Sequence, residues 1–180
     1  MGKIWFSSDT HFGHANIIKY CSRPFSSLEE MNSIIVRRFN ERIKDEDTVF
    51  FLGDFCFRNG PSGKQGEGDR PKADFYQKQL KGKWIFIKGN HDKNNSLKTP
   101  IERMVIGYGG YRINLVHNPT HADSCYVLNL VGHVHEKWKS KRLTDKSIMY
   151  NVGVDVHNFY PVSFEEIERN INEEKKQRQR

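Results

Sequence analysis

The sequence has no long apolar run, few cysteines and no internal repeat, and each absence removes a class of protein. None of the apolar runs in its 180 residues approaches the roughly 18 needed to cross a bilayer, so a membrane span is excluded. Met1–Phe6 turns polar at Ser7, Ser8 and Asp9, too early for the apolar core of a signal peptide. Cys21, Cys56 and Cys125 are odd in number and widely separated. That spacing predicts reduced thiols in the cytoplasm rather than a disulfide framework. What the chain does have is 36% hydrophobic and 12% aromatic residues, enough to fill the core of a single domain. One domain over residues 1–172 is expected, followed by a frayed basic tail over 173–180.

The formal charge of +7 is unevenly placed: residues 1–60 sum to zero, 61–120 to +6 and 121–180 to +1. The excess belongs to the middle of the chain. There Lys64, Arg70 and Lys93 sit on segments that are expected to steer a phosphate-rich ligand. Lys137, Lys139 and Lys141 alternate, as on one face of an edge strand. No module for reading RNA or DNA is visible, and no motif of interleaved aromatic and basic residues stands out.

Apolar runs bounded by small polar residues predict strands at Lys3–Ser7, Thr48–Leu52 and Lys83–Lys88, with further strands near Arg103–Ile106, Tyr111–Val116, Tyr126–Val131, Lys137–Leu143 and Ser147–Val154. Ser27 and Glu30 form a capping box before Leu28, Met31, Ile34, Ile35, Phe39 and Ile43, which recur at helical spacing. Ser163 and Glu166 predict a second capped helix, and Pro71 is read as opening a helix over about 72–81. Residues 59–71 hold four glycines and two prolines and predict a surface loop. Helices alternating with strands, then strands in series, indicate an α/β fold with a mixed sheet system.

The polar residues competent to bind metal fall just after these strands. Asp9 and His11 follow the first, Asp54 the second, and Asn90, His91 and Asp92 the third. His117 follows a later strand, and His133 and His135 another. In open α/β sheets, ligands bind at the carboxyl ends of strands. On an extended segment His133 and His135 are expected to point the same way.

Taken together, Asp9-x-His11, Gly53-Asp54, Gly89-Asn90-His91-Asp92, His117 and Gly132-x-His133-x-His135 resemble the calcineurin-like metallophosphoesterase superfamily. The opening Ser8-Asp9-Thr10-His11-Phe12-Gly13-His14 is similar to its compact bacterial, archaeal and phage members, as are Asn151-Val152-Gly153-Val154-Asp155 and Tyr160-Pro161-Val162-Ser163. One position departs: many relatives continue Gly-Asp-x-x-Asp, where this chain has Phe57. The resemblance implies a four-layer α/β/β/α sandwich with two facing mixed sheets. It also implies two divalent cations, manganese first, with Fe, Zn, Ni, Co or Mg as alternatives. Asp9, His11, Asp54 and His135 would hold one; Asp54, Asn90, His117 and His133 would hold the other, with Asp54 bridging. His91 would face the substrate and assist the leaving group, with Asp92 orienting it. His14, Asn90 and His91 would contact the substrate. His121 and His157 belong to no motif and read as surface or loop residues.

Two cations that share a carboxylate can bind a phosphoryl group and align a hydroxide for in-line attack. The expected function is hydrolysis of phosphate esters. Phosphodiesters, among them cyclic nucleotides or nucleotide derivatives, come ahead of phosphomonoesters because the chain has no large cap domain to enclose one substrate. Two alternatives stand beside it: a metal-stabilised module that binds nucleic acid or a partner without turnover, and a nuclease acting on polymeric nucleic acid.

Overall fold

The computed structural model describes residues 2–57, 71–93 and 97–178. The chain order is β1 (Ile4–Ser7), α1 (Ala15–Tyr20), α2 (Leu28–Arg42), β2 (Thr48–Leu52), α3 (Ala73–Gln77), β3 (Lys83–Ile87), β4 (Arg103–Tyr108), β5 (Tyr111–Val116), β6 (Leu128–Val131), β7 (Ser140–Arg142), β8 (Ile148–Asn151), β9 (Val162–Ser163) and α4 (Phe164–Arg178). These strands build two mixed sheets of order β3-β2-β1-β9 and β4-β5-β6-β8-β7, so the fold is α/β with two facing mixed sheets.

Strands β1, β2 and β3 run parallel and read as unbroken apolar runs because both of their faces are covered. Trp5, Val49, Phe51, Trp84 and Phe86 face α1–α3. Phe6, Phe50, Leu52 and Ile87 face the second sheet and meet Ile113, Leu115, Leu128, Leu130 and Tyr150. Helix α4 adds Phe164, Ile167 and Ile171 to this inter-sheet core. The outer face of the second sheet carries a smaller cluster of Val116, Val131 and Met149 with Ala122 and Trp138, covered by loops and 3-10 turns.

The helix signals work as local chemistry, with differences at the ends. At α4 both halves of the capping box form: Glu166 N–H donates to Ser163 Oγ, and the Glu166 carboxylate accepts from Ser163 N–H. At α2 Ser27 Oγ accepts from Glu30 N–H, but the Glu30 carboxylate reaches back one residue further, to Ser26 N–H and Oγ. Helix α3 spans Ala73–Gln77 with Lys72 as its cap, shorter than expected and not opened by Pro71. Helix α4 continues to Arg178, past the point where a frayed tail was expected. The strands expected at Lys137–Leu143 and Ser147–Val154 shrink to β7 and β8. Lys137 sits in a 3-10 turn, so the three lysines do not form one strand ladder. Helix α1 and strand β9 had no legible signal. The 59–71 loop, with Lys64 and Arg70, lies outside the described residues up to position 70, as does the side chain of Lys93.

His157 lies in a turn, as expected of a surface or loop residue, but is half-buried. Its Nε2–H donates to Asn151 O at 2.9 Å, and its ring packs 5.7 Å from that of Tyr150. Burial first, and then Lys139 and Arg42, lower its pKa from 6.5 to about 4. A base depressed in the folded state is protonated first in the unfolded chain. Its contribution to stability is therefore present above about pH 6.5 and lost as pH falls toward about 4. His157→Gln should flatten part of the loss in urea midpoint between pH 7 and pH 5; an unchanged slope would remove His157 from the explanation.

Candidate metal centre

The carboxyl ends of β1, β2, β3, β5 and β6 converge on one edge of the paired sheets, and a parallel bridge between Ser8 and Gly153 joins the two sheets there. Beyond β1 and β2 the chain continues as neighbouring segments, with Asp9 N–H donating to Gly53 O and His11 N–H to Asp54 O. Five candidate ligands turn through left-handed backbone: Asp9 (φ 58°), His11 (49°), Asp54 (57°), His133 (70°) and His135 (49°). Such conformations cost non-glycine residues on the order of 1–3 kcal/mol each and cluster at functional sites. The strain brings each side chain back over the strand end from which it came. It also corrects the expectation for His133 and His135. Left-handed turns at both residues send them to different partners, where an extended segment would aim them together.

Asp54 lies at the centre. Its Oδ2 is 3.6 Å from His11 Nε2 and 3.3 Å from His117 Nε2, while Oδ1 accepts from His91 N–H at 2.9 Å. On one side Asp9, His11 and His135 bring donor atoms within 4.8 Å of one another; on the other, Asp54, His117 and His133 do the same. Asn90 Oδ1 sits 2.9 Å from His117 Nε2 and 2.8 Å from His133 Nδ1. All seven sequence-selected ligands are thus in one cluster, with Asp9, His11, Asp54 and His117 almost wholly buried.

Three features fit this cluster to divalent cations. Donors about 2.1 Å from a shared cation in near-octahedral geometry are separated by about 3.0 Å, and the contacts among Asn90, His117, His133 and Asp54 match that spacing. His11 Nε2 is buried without a hydrogen-bond partner and faces Asp54. The imidazoles are held in the tautomer a metal needs. His117 Nδ1 donates to Leu52 O at 2.7 Å, and His135 Nδ1 to Asp155 Oδ2 at 2.9 Å, so in each ring Nε2 carries the lone pair of the neutral form.

The electrostatics follow from burying carboxylates among imidazoles. Burial raises Asp9. Burial also pushes Asp54 upward, but the hydrogen bond and charge of His117 outweigh it and hold the carboxyl well below its usual range. Burial lowers His11 strongly, and takes His14 down to about 4. Burial lowers His117 and His135 too, yet Asp54 carries the first to about 9 and Asp155 the second to about 10. A cation taken up at these nitrogens displaces protons, so its binding weakens as pH falls.

The remaining candidates occupy distinct places. His91 is exposed, its ring 5.3 Å from that of His11. Asp92 was expected to orient His91. Its Oδ2 accepts from Asp54 N–H and Gly89 N–H, and its Oδ1 from Phe55 N–H, which locks the β2 and β3 loops together. His14 is buried, stacked 4.5 Å from Phe57, with Nδ1 3.4 Å from His11 Nδ1; it backs His11 from behind. Phe57, the departure from the usual motif, therefore supports His14.

Three residues escaped sequence reading. Arg23 is buried, pairs bidentately with Asp155 and donates to Asp9 O and Thr10 O. Asp155 in turn holds His135, and Ser8 Oγ donates to Asp9 Oδ2 at 2.5 Å. Arg23 lies in an ordinary polar loop with no spacing signal. Asp155 was visible only as part of a similar segment. The Sγ of Cys21 joins His135 and Asp155 within 4.8 Å.

Asp155→Asn should lower the affinity for Mn²⁺ by about 10–100-fold in titration calorimetry, the usual cost of losing a carboxylate behind a ligating histidine. Unchanged affinity would refute that role. Gly89 admits no side chain, since a Cβ there would lie 2.2 Å from Asp54 Oδ1 and 2.4 Å from Asp54 N. Gly89→Ala should therefore abolish calorimetric Mn²⁺ binding while far-ultraviolet circular dichroism stays native.

The chain is similar to several known proteins. An uncharacterized protein of Methanocaldococcus jannaschii is 40% identical over 182 residues, covering 97% of this chain and 94% of that protein. The Gene 66 protein of Mycobacterium phage L5 is 25% identical over 111 residues, 60% of this chain and 48% of that protein. The crystal structure of a protein of unknown function from Aquifex aeolicus superposes with a TM-score of 0.69 at 25% identity, over 94% of this chain and 99% of that one. Residues 2–174 match the family described as calcineurin-like phosphoesterase. With its strand-end ligand cluster and this match over nearly its whole length, the chain belongs to the calcineurin-like phosphoesterases.

Proposed function

We propose that the protein is a dinuclear metal-dependent phosphoesterase that hydrolyses phosphodiesters. The observation that carries the reading is the position of Asp54 Oδ2 between His11 Nε2 and His117 Nε2, with a second set of donors on either side. Asp9, His11, Asp54 and His135 would hold one ion, and Asp54, Asn90, His117 and His133 the other. The N/O donor set suits Mn, with Fe, Zn, Ni, Co or Mg as alternatives. When bound, such ions polarise phosphoryl oxygens and acidify the attacking water.

The chain's own groups supply the rest. His91 stands exposed over the cluster, tied by its backbone N–H to Asp54, and protonates the departing oxygen. Asp92 fixes the loops that carry Asp54 and His91. His14 holds His11, and Arg23 with Asp155 holds His135 and the Asp9 backbone. A cleft of about 530 Å³ opens beside Asn90 and His117 and gives room for the second ester arm of a diester, which supports diesters over monoesters. The odd number and wide separation of Cys21, Cys56 and Cys125 support a cytoplasmic setting.

Metal-reconstituted protein should cleave bis(p-nitrophenyl) phosphate faster than p-nitrophenyl phosphate. His91→Ala should lose roughly 10²–10⁴-fold in kcat, with metal content intact. Inactivity on every ester with metal bound would reject the enzyme in favour of a binding module.

A further inference from the structure

The cleft beside the ligand cluster continues onto the outward face of edge strand β4 and the exposed Arg112 of β5, the neighbouring Val116 and Asn114 being buried, and we propose that this strip carries a single-stranded oligonucleotide into the metal centre. The inference rests on the phosphodiesterase reading and names its substrate class. Strand β4 alternates between exposed and half-buried residues, with Arg103, Val105 and Gly107 outward and Met104, Ile106 and Tyr108 on the inter-sheet core. Opposite them on β5 stand Val116, Asn114 and Arg112. Arg103 lines the cleft together with Asn90, His117 and Lys88, so the strip begins at two candidate metal ligands.

From there it runs outward over Tyr126. The Arg103 and Arg112 guanidinium carbons lie 5.3 Å and 5.5 Å from the centroid of the Tyr126 ring. Arg103 is held in advance, its Nε–H donating to Asn114 Oδ1 and its Nη2–H to Asp123 Oδ2. Among the described residues Arg112 makes no ion pair. It faces Gly107, where a side chain would meet nothing within 4 Å. Both guanidinium groups flank the one ring, so a ligand that meets both arginines meets the ring as well.

A half-buried aromatic ring flanked by two exposed arginines, leading to a phosphodiester site, has the chemistry of single-strand recognition. Bases stack on the planar groups whatever their sequence, and phosphates take the free N–H protons. The opposing carboxylates are weak competitors. Glu102 pairs with Lys88 at 3.4 Å but is 78% exposed, and Asp123 pairs with Arg103 on the surface.

The test compares the Mn²⁺-loaded protein and Arg112→Gln on bis(p-nitrophenyl) phosphate, on single-stranded oligothymidylates of two to eight nucleotides, on a duplex and on a dinucleoside polyphosphate. Binding of fluorescein-labelled dT12, read by anisotropy, provides an arm independent of turnover. We expect kcat/KM to rise with oligonucleotide length. In Arg112→Gln the ratio of kcat/KM for the octamer to that for bis(p-nitrophenyl) phosphate should fall about tenfold, the scale of one lost stacking contact. The slope of log affinity for dT12 against log salt should shrink by about 0.7, the value of one lost phosphate contact on a single strand. Arg112→Lys should restore the slope but not the full affinity. A flat length dependence, an unchanged ratio, or preference for the duplex or the dinucleoside polyphosphate would overturn the strip while leaving the phosphoesterase intact. If no ester is cleaved, the phosphoesterase reading fails, and the dT12 slope alone decides for or against the strip.

Discussion

Two carboxylates buried side by side, Asp9 and Asp54, are the constraint around which the molecule is arranged. A charge removed from water is tolerated only where hydrogen bonds and opposite charge replace its hydration. Here the replacements come from every neighbouring element. Ser8 Oγ and His133 N–H serve Asp9, while His91 N–H and the rings of His11 and His117 serve Asp54. The carboxylates in turn set the protonation of the imidazoles, so charge balance within the cluster is mutual. Neither acid can be removed without leaving several buried donors unsatisfied.

The parallel strands make such a cluster attainable. Successive strand ends lie one hydrogen-bonded spacing apart, close enough for short side chains to meet. Left-handed turns at Asp9, His11, Asp54, His133 and His135 then fold those side chains back over the sheet edge. Packing supports the strain. Glycines at 89 and 132 let the neighbouring backbones approach Asp54 and Asp9, and the buried pair of Arg23 with Asp155 ties the β1 loop to the segment behind His135. An ion pair this deep is weak as a source of stability but directional as a brace. Its bidentate geometry aims the carboxylate at one imidazole nitrogen.

The site is asymmetric around this centre. On the His11 side His14, Phe57 and Tyr20 form an aromatic wall, with His14 buried within it. On the Asn90 and His117 side the surface opens into a polar cleft bordered by Lys88 and Arg103. The excess positive charge of residues 61–120 falls partly on this open side, next to the edge strand of the second sheet. Charge, room and ligand donors therefore meet on one flank.

What the sequence determined by itself were the features with local causes: the buried parallel strands from their apolar runs, the capped helices from Ser27 and Ser163, and the seven candidate ligand positions from their place after strands. These are legible because a strand end needs no distant partner to be recognised. The folded structure alone decided what depends on contacts between distant segments. Arg23 and Asp155 meet across 132 positions, Asp92 binds the β2 loop, and Arg103, Arg112 and Tyr126 gather from β4, β5 and the loop before β6. No spacing along the chain encodes those meetings, because sheet register and the strained turns set them. The positive middle third gave only a sum of charge along the chain; the register of β4 and β5 decided where on the surface Arg103 and Arg112 are presented.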